Sequence, residues 1–400
     1  MSWIKIFLVM TFLIFQVKFF ILLPEIKDLG VDILFFIFVY QVLVILSGVL
    51  IWKGKILILA NTLALLLFLN LFITVPKAIN DYITLAPNTF TKVEILGNTI
   101  NGFIGINTIS TDQKGFRSIR EIDYQSDRYL RIFAIGGSTT EEIYSDDTET
   151  WTALLQDKLE VHIESPVEVI NTGVSGIRAK HHLATLINTE EFHPDYYIFL
   201  VGVNDWNHQI SKKKNVDMIT SSIRDTILYK ILKFLKPLPK IDRETVQQNY
   251  GEYYSSQNDS LSRSDVRSIS INQVDEDYMN VMNKIAIRCN TGNYQCIFVS
   301  QPSAYSYEIT ENLKSKLWMT PPNALYTFDL ESLIQISSFY NSWLKNLAKV
   351  NNIAFCDLAS QIEPSERFFF DDVHFNENGS NRVANVLFSC LRDKLINKST

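Results

Sequence analysis

Two long, predominantly apolar runs set the first constraint on this chain: residues 33–52 and 56–75 are each 20 residues long and carry no charged side chain. Twenty residues at about 1.5 Å rise match the hydrocarbon core of a bilayer. Residues 6–23 form a third apolar stretch, broken only by Gln16 and Lys18. Lys18 stands near its far end, where a lysine reaches the headgroups. Three transmembrane helices, 6–23, 33–52 and 56–75, are therefore expected to tie the chain to the lipid bilayer. A signal peptide is the competing reading of the first, but no small-x-small cleavage site follows it.

The loops give the orientation. Lys53 and Lys55 flank the turn between the second and third runs, and Lys5 precedes the first, whereas the first connection carries Glu25, Asp28 and Asp32 against Lys27. Lysine-rich short loops stay in the cytoplasm, so everything after residue 75 is expected on the non-cytoplasmic side. The two lysines of the second turn fix this side even without the first span. Residues 1–76 carry net charge +2 within a chain of net −6, so the remainder is −8. An acidic domain is a poor match for phosphate backbones, and no nucleic-acid partner is expected. Four cysteines, Cys289, Cys296, Cys356 and Cys390, allow three pairings. Cys289 and Cys296 are close enough to close a small loop, and free buried thiols are the alternative.

Beyond the anchor, residues 77–128 read as a polar, irregular linker and lead-in. From residue 129 to 400 short apolar runs alternate with helical stretches: strands at 130–135, 167–170, 196–201, 295–299 and 353–356, helices at 150–161, 330–350 and 377–395. That rhythm predicts an α/β domain with a parallel sheet covered on both faces. Residues 209–276 break the rhythm as an insertion in which no run reads as a strand. Within it, residues 227–240 place Ile227, Leu228, Ile231, Leu232 and Leu235 at helical spacing with Lys230, Lys233 and Lys236 between them. Such a stretch packs its apolar stripe onto the domain, or lies on a membrane or over a site as a lid. The six histidines form no metal-ligand cluster, and neither metal nor cofactor is expected.

Four blocks carry the chemistry. Arg131 to Glu142 reads RIFAIGGSTTEE, an apolar run ending in Gly136-Gly137-Ser138. By itself Ser138 is as good a helix cap as a nucleophile. The second run leads into NTGVSGIRA, 171–179, the third into VGVNDWN, 201–207, and FFFDDVHFNENG stands at 368–379. The first three place small or amide residues at the carboxyl ends of parallel strands, where open sheets bind ligands. A serine hydroxyl must lose its proton to a nearby base, and His374 is the candidate. Asp371, three residues before it, can turn back to fix the imidazole, with Asp372 the competing choice. A tetrahedral intermediate needs donors aimed at its oxyanion: the Gly176 N–H fits, with Gly173 the alternative, and Asn204 offers an amide. Asp205 buttresses its loop, and Trp206 and His208 are candidates for the pocket wall. The stretch 300–305, SQPSAY, is a further candidate wall of the cleft.

Together these blocks resemble the SGNH, or GDSL-type, hydrolase superfamily over roughly residues 129–395, with GFRS at 115–118 as a lead-in. Gly137 departs from the aspartate that the best-known members carry before the serine. The resemblance implies a flavodoxin-like three-layer α/β/α fold and a Ser-His-Asp mechanism on esters. Its four catalytic positions fall on Ser138, Gly176, Asn204 and His374, the oxyanion hole being Ser138, Gly176 and Asn204. For an exported member with N-terminal spans it implies a serine esterase acting on O-acyl, above all O-acetyl, groups of cell-surface glycans. An O-acyltransferase would need the same residues. A lipid-ester hydrolase and a non-catalytic scaffold among polysaccharide-assembly membrane proteins are the other readings.

Overall fold

A computed structural model describes residues 81–95, 100–118, 122–126, 128–163, 165–211, 248–249, 266–269, 273–317 and 327–396. All lie in the unit made of Ala78–Ser211 and Asp242–Thr400. The expected spans 6–23, 33–52 and 56–75 and the amphipathic stretch 227–240 fall outside the described residues. Among the described residues no helix is long and apolar enough to cross a membrane.

The lead-in departs from its expected irregularity. β1 (Phe90–Ile95) and β2 (Gly105–Ser110) pair as an antiparallel hairpin, Phe90 opposite Ser110 and Ile95 opposite Gly105. Val93 and Ile95 are buried while Lys92 is exposed, a half-buried alternation too short to announce itself within a polar stretch.

The chain then enters the main sheet through β3 (Leu130–Gly136), followed by α1 (Ser138–Glu141), α2 (Trp151–Glu160), β4 (Val167–Asn171) and α3 (Ala179–Thr189). β5 (Tyr196–Leu200) and α4 (Val203–Ser211) come next. The two-residue strands β6 (Gln248–Asn249) and β7 (Val266–Arg267) lie inside the segment expected to hold none. Two residues leave no period to read. α5 (Glu276–Thr291), β8 (Gln295–Val299), α6 (Glu311–Lys316), β9 (Thr327–Phe328), α7 (Leu330–Val350), β10 (Ala354–Cys356) and α8 (Glu377–Ile396) complete the order.

The five long-range strands stand in the order β10-β8-β5-β3-β4, every pairing parallel. Read from its other edge this is the doubly wound arrangement in which the first strand has neighbours from two opposite windings. Alternation along the strands separates two cores. Phe133, Tyr197, Phe199 and Phe298 face α3, α5 and α7. Ile132, Ala134, Ile198, Leu200 and Val299 face α2 and α8. The expected α/β/α layering is the fold, and the switch point beyond β3 is where Ser138 stands. Two disulfides, Cys289–Cys296 and Cys356–Cys390, join α5 to β8 and β10 to α8, so no described cysteine is a free thiol.

Candidate active site

Ser138 opens α1, and its backbone role answers the question of the cap. The cap position is Gly137, which makes no side-chain capping bond. The Ser138 hydroxyl instead lies 2.7 Å from His374 Nε2. The imidazole's other nitrogen, Nδ1, is 2.8 and 2.9 Å from the two oxygens of Asp371. A carboxylate only accepts, so Nδ1 carries the proton and donates to Asp371, leaving Nε2 as acceptor for the Ser138 O–H. Asp371 is 3% exposed and also accepts the backbone N–H groups of Val373 and His374, at 3.0 and 2.9 Å. These bonds hold the three-residue turn closed. Asp372 instead takes a hydrogen bond from the Tyr305 hydroxyl. The 300–305 stretch thus backs the histidine loop, where Ala304 N–H also donates to Asp372 O at 2.7 Å.

The electrostatics of His374 are a contest. Burial disfavours the imidazolium, but the Asp371 charge and hydrogen bond, helped by Asp372 and Glu141, outweigh it and hold the pKa above the ordinary histidine value. One face of the ring is covered by Phe370, stacked at 5.6 Å with 13° between planes.

Asn204, in the first turn of α4, donates one amide hydrogen to Ile177 O at 2.9 Å, and among the described residues no acceptor takes the other. Its nitrogen sits so close to the nucleophile turn that a Cβ on Gly137 would come within 2.6 Å of it. A side chain at 137 would crowd the end of that amide, and glycine leaves it room. Gly176 is exposed with φ +77°, and no acceptor takes its N–H among the described residues. Asp205 accepts the Ala179 N–H through both oxygens, at 3.2 and 3.1 Å, fixing the Gly176 loop to α4. Burial pushes the Asp205 carboxyl up to about 7.

Two expectations change. Gly173 is no oxyanion donor, because its N–H is committed to Asn171 Oδ1 at 2.9 Å. Trp206 does not line a pocket: it is fully buried in the core, edge-on to Tyr340 at 6.0 Å. Asp205 supports the site from behind without facing it.

The space beside Ser138 is walled by residues that sequence reasoning did not single out: Phe103, Tyr144, Phe370 and Glu142, together with His374. It has room for about one water-sized group. Glu142 is buried, its carboxylate accepting Trp151 N–H at 2.6 Å and the Ser380 hydroxyl; burial pushes it up to about 7. Arg117, 4% exposed, reaches in from the lead-in. It pairs with Asp147 at 2.8 Å and donates to the carbonyls of Glu141 and Glu142 at 2.5 and 2.6 Å. Those carbonyls end the helix that carries Ser138, so a cation there satisfies what the short helix leaves open. The GFRS block was the one signal for it.

The family model for GDSL-like lipase/acylhydrolase matches residues 132–387. No curated protein matches the chain in sequence. Among solved structures, the chain is similar to an α/β-hydrolase from the metagenome of Lake Arreo, Spain, at 14% identity, with 67% of this chain and 97% of that one covered and a TM-score of 0.38. It is also similar to an acetylxylan esterase from Geobacillus stearothermophilus, at 13% identity, 66% and 94% coverage and a TM-score of 0.37. A GDSL-like lipase from Bacteroides thetaiotaomicron gives 12% identity, 68% and 93% coverage and a TM-score of 0.36.

Proposed function

This chain belongs to the GDSL-like lipase/acylhydrolase family and is a serine esterase, and on that premise we propose that it removes O-acetyl groups from cell-surface glycans while anchored in a membrane by residues 6–23, 33–52 and 56–75. The observation that carries the chemistry is the continuous chain from Asp371 through His374 to Ser138, with links of 2.8 and 2.7 Å.

In this reading Ser138 Oγ attacks the ester carbonyl carbon as its proton passes to His374 Nε2. The new C–Oγ bond leaves an oxyanion, received by the Ser138 and Gly176 N–H groups and the Asn204 amide. Asp371 stabilises the imidazolium. Collapse breaks the bond to the alcohol oxygen, which leaves with the His374 proton. Water then gives one proton to His374 and attacks the acyl-enzyme. Breaking the C–Oγ bond frees acetate and returns that proton to Ser138.

The outward placement is supported by Lys53 and Lys55 in the second turn and by two disulfides, which persist in oxidising compartments. Acylated glycans are the esters such a domain meets there, and polysaccharide-assembly membrane proteins its natural neighbours. Incubating the full chain with an O-acetylated oligosaccharide, with and without a second, unacetylated sugar, tests the assignment. Acetate released only when Ser138 is present supports it. Acetyl recovered on the second sugar makes the protein a transferase with the same residues, and inertness toward glycan esters beside turnover of phospholipid removes the glycan reading.

A further inference from the structure

Residues 100–104, which lead into β2, lie outside the matched family span, yet they dock on the loop that carries His374. Asn101 Nδ2 donates to Glu366 O at 2.7 Å, and Asn376 Nδ2 donates to the same carbonyl at 3.0 Å. Gly102, at φ +85°, lets the backbone come so near that a Cβ there would meet Asn376 Cβ at 2.7 Å. The approach delivers Phe103 into the site, 1% exposed. Its ring packs edge-on against Phe370 at 5.6 Å and near Tyr144 at 6.4 Å, while Tyr144 meets Phe370 at 5.4 Å. Phe370 is the ring stacked on His374.

We propose that Phe103, with Tyr144 and Phe370, forms the acyl-binding wall and restricts this enzyme to acetyl esters. The inference rests on the esterase reading and adds the determinant of its substrate class. An ester presents three groups around its carbonyl carbon once Ser138 has attacked. The oxyanion goes to the side of Gly137, Gly176 and Asn204. Of the two remaining groups, the sugar alcohol is bulky and the acyl chain small. The narrow crevice beside Ser138 has room for about one water-sized group, a methyl in effect. Of the two groups only the acyl end of an acetyl ester is small enough for this crevice, which leaves the alcohol outside it. A longer acyl chain has to displace aromatic rings packed against each other and against the general base.

The test is a series of 4-nitrophenyl acetate, butyrate and octanoate with the full chain, its Phe103→Ala and Phe103→Leu variants, and Ser138→Ala as control. Each methylene in a fitted pocket discriminates by about tenfold or more, so wild type is expected to prefer acetate over butyrate by at least about a hundredfold in kcat/KM. Phe103→Ala is expected to raise the butyrate-to-acetate ratio at least about tenfold. Phe103→Leu keeps an apolar side chain at the buried position and carries the test, in the same direction, if the alanine variant does not fold. Equal use of acetate and butyrate by wild type overturns the proposal and leaves the esterase reading standing. So does a parallel loss on both esters in the variants, since a purely structural ring would not change the ratio. Serine-independent turnover, or none with any ester, overturns the esterase reading and the proposal with it.

Discussion

His374 is pulled in opposite directions, and the outcome sets the working pH of the site. As general base it must be neutral, and Asp371, Asp372 and Glu141 hold its pKa above the ordinary 6.5 against the effect of burial. The acid limb of kcat/KM is therefore expected to have its midpoint above 6.5, rising with pH. Asp371→Asn removes the nearest charge and the acceptor that sets the tautomer. A pH–rate profile of that variant should show kcat lower by about 10⁴-fold and the midpoint moved down; a full-strength profile at the wild-type midpoint would assign the acid elsewhere. Asn204 contributes one free amide hydrogen, and steady-state kinetics of Asn204→Ala should show kcat reduced by about 10²–10³-fold with a smaller change in KM. Legibility in the sequence followed chain distance at this scale. Asp371 and His374 announce themselves because their spacing closes one turn. Phe103 and Tyr144 could not, since nothing in their neighbours marks them out before a hairpin and a helix end bring them to one crevice.

Elements were readable where they are buried on both faces. β3, β4, β5 and β8 appear as short apolar runs with ends within a residue or so of the observed strands, because a covered parallel strand has no polar face to interrupt it. The β1–β2 hairpin was lost in a polar segment because only Val93 and Ile95 of its first strand are fully covered. What passed for a linker is an element of the catalytic domain, and Arg117 shows how tightly it is held. Its guanidinium is buried with Asp147 and with carbonyls at the end of α1. Arg117→Met strands the Asp147 carboxylate, and such a loss costs about 3–5 kcal/mol; urea unfolding should show it, and an unchanged midpoint would reduce the clamp to a surface contact. The Cys356–Cys390 disulfide ties β10 to α8 across a separation of 34 residues. Cys356→Ser with Cys390→Ser is expected to lower stability by about 3–4 kcal/mol in the same measurement.

At the scale of the whole molecule, buried carboxyls make stability depend on pH in an unusual sense. Glu142 and Asp205 are pushed from 4.5 and 3.8 up to about 7. The folded state therefore holds protons that the unfolded chain releases, and their stabilisation is full below about pH 4 and lost as pH rises toward 7. Each group gives a slope of up to about −1.4 kcal/mol per pH unit within that window. His181 and His182, held down by burial to about 4 and about 3, push the other way below pH 6.5, so the test is a difference. The stability of wild type relative to Glu142→Gln, from urea midpoints between about pH 4 and 8, should fall with rising pH, and a constant difference would contradict the burial of that carboxyl. The same architecture brings Ser138, at the end of the first sheet strand, against His374, 236 residues away in sequence, and the account depends on that meeting. The most direct measurement is active-site titration of the full chain with 4-nitrophenyl acetate, with the acetylated peptide located by mass spectrometry. A burst equal to the enzyme concentration, acetyl on Ser138 and no burst from Ser138→Ala are the results expected. A burst retained by Ser138→Ala, or acetyl carried on another residue, would contradict the assignment of Ser138 as nucleophile.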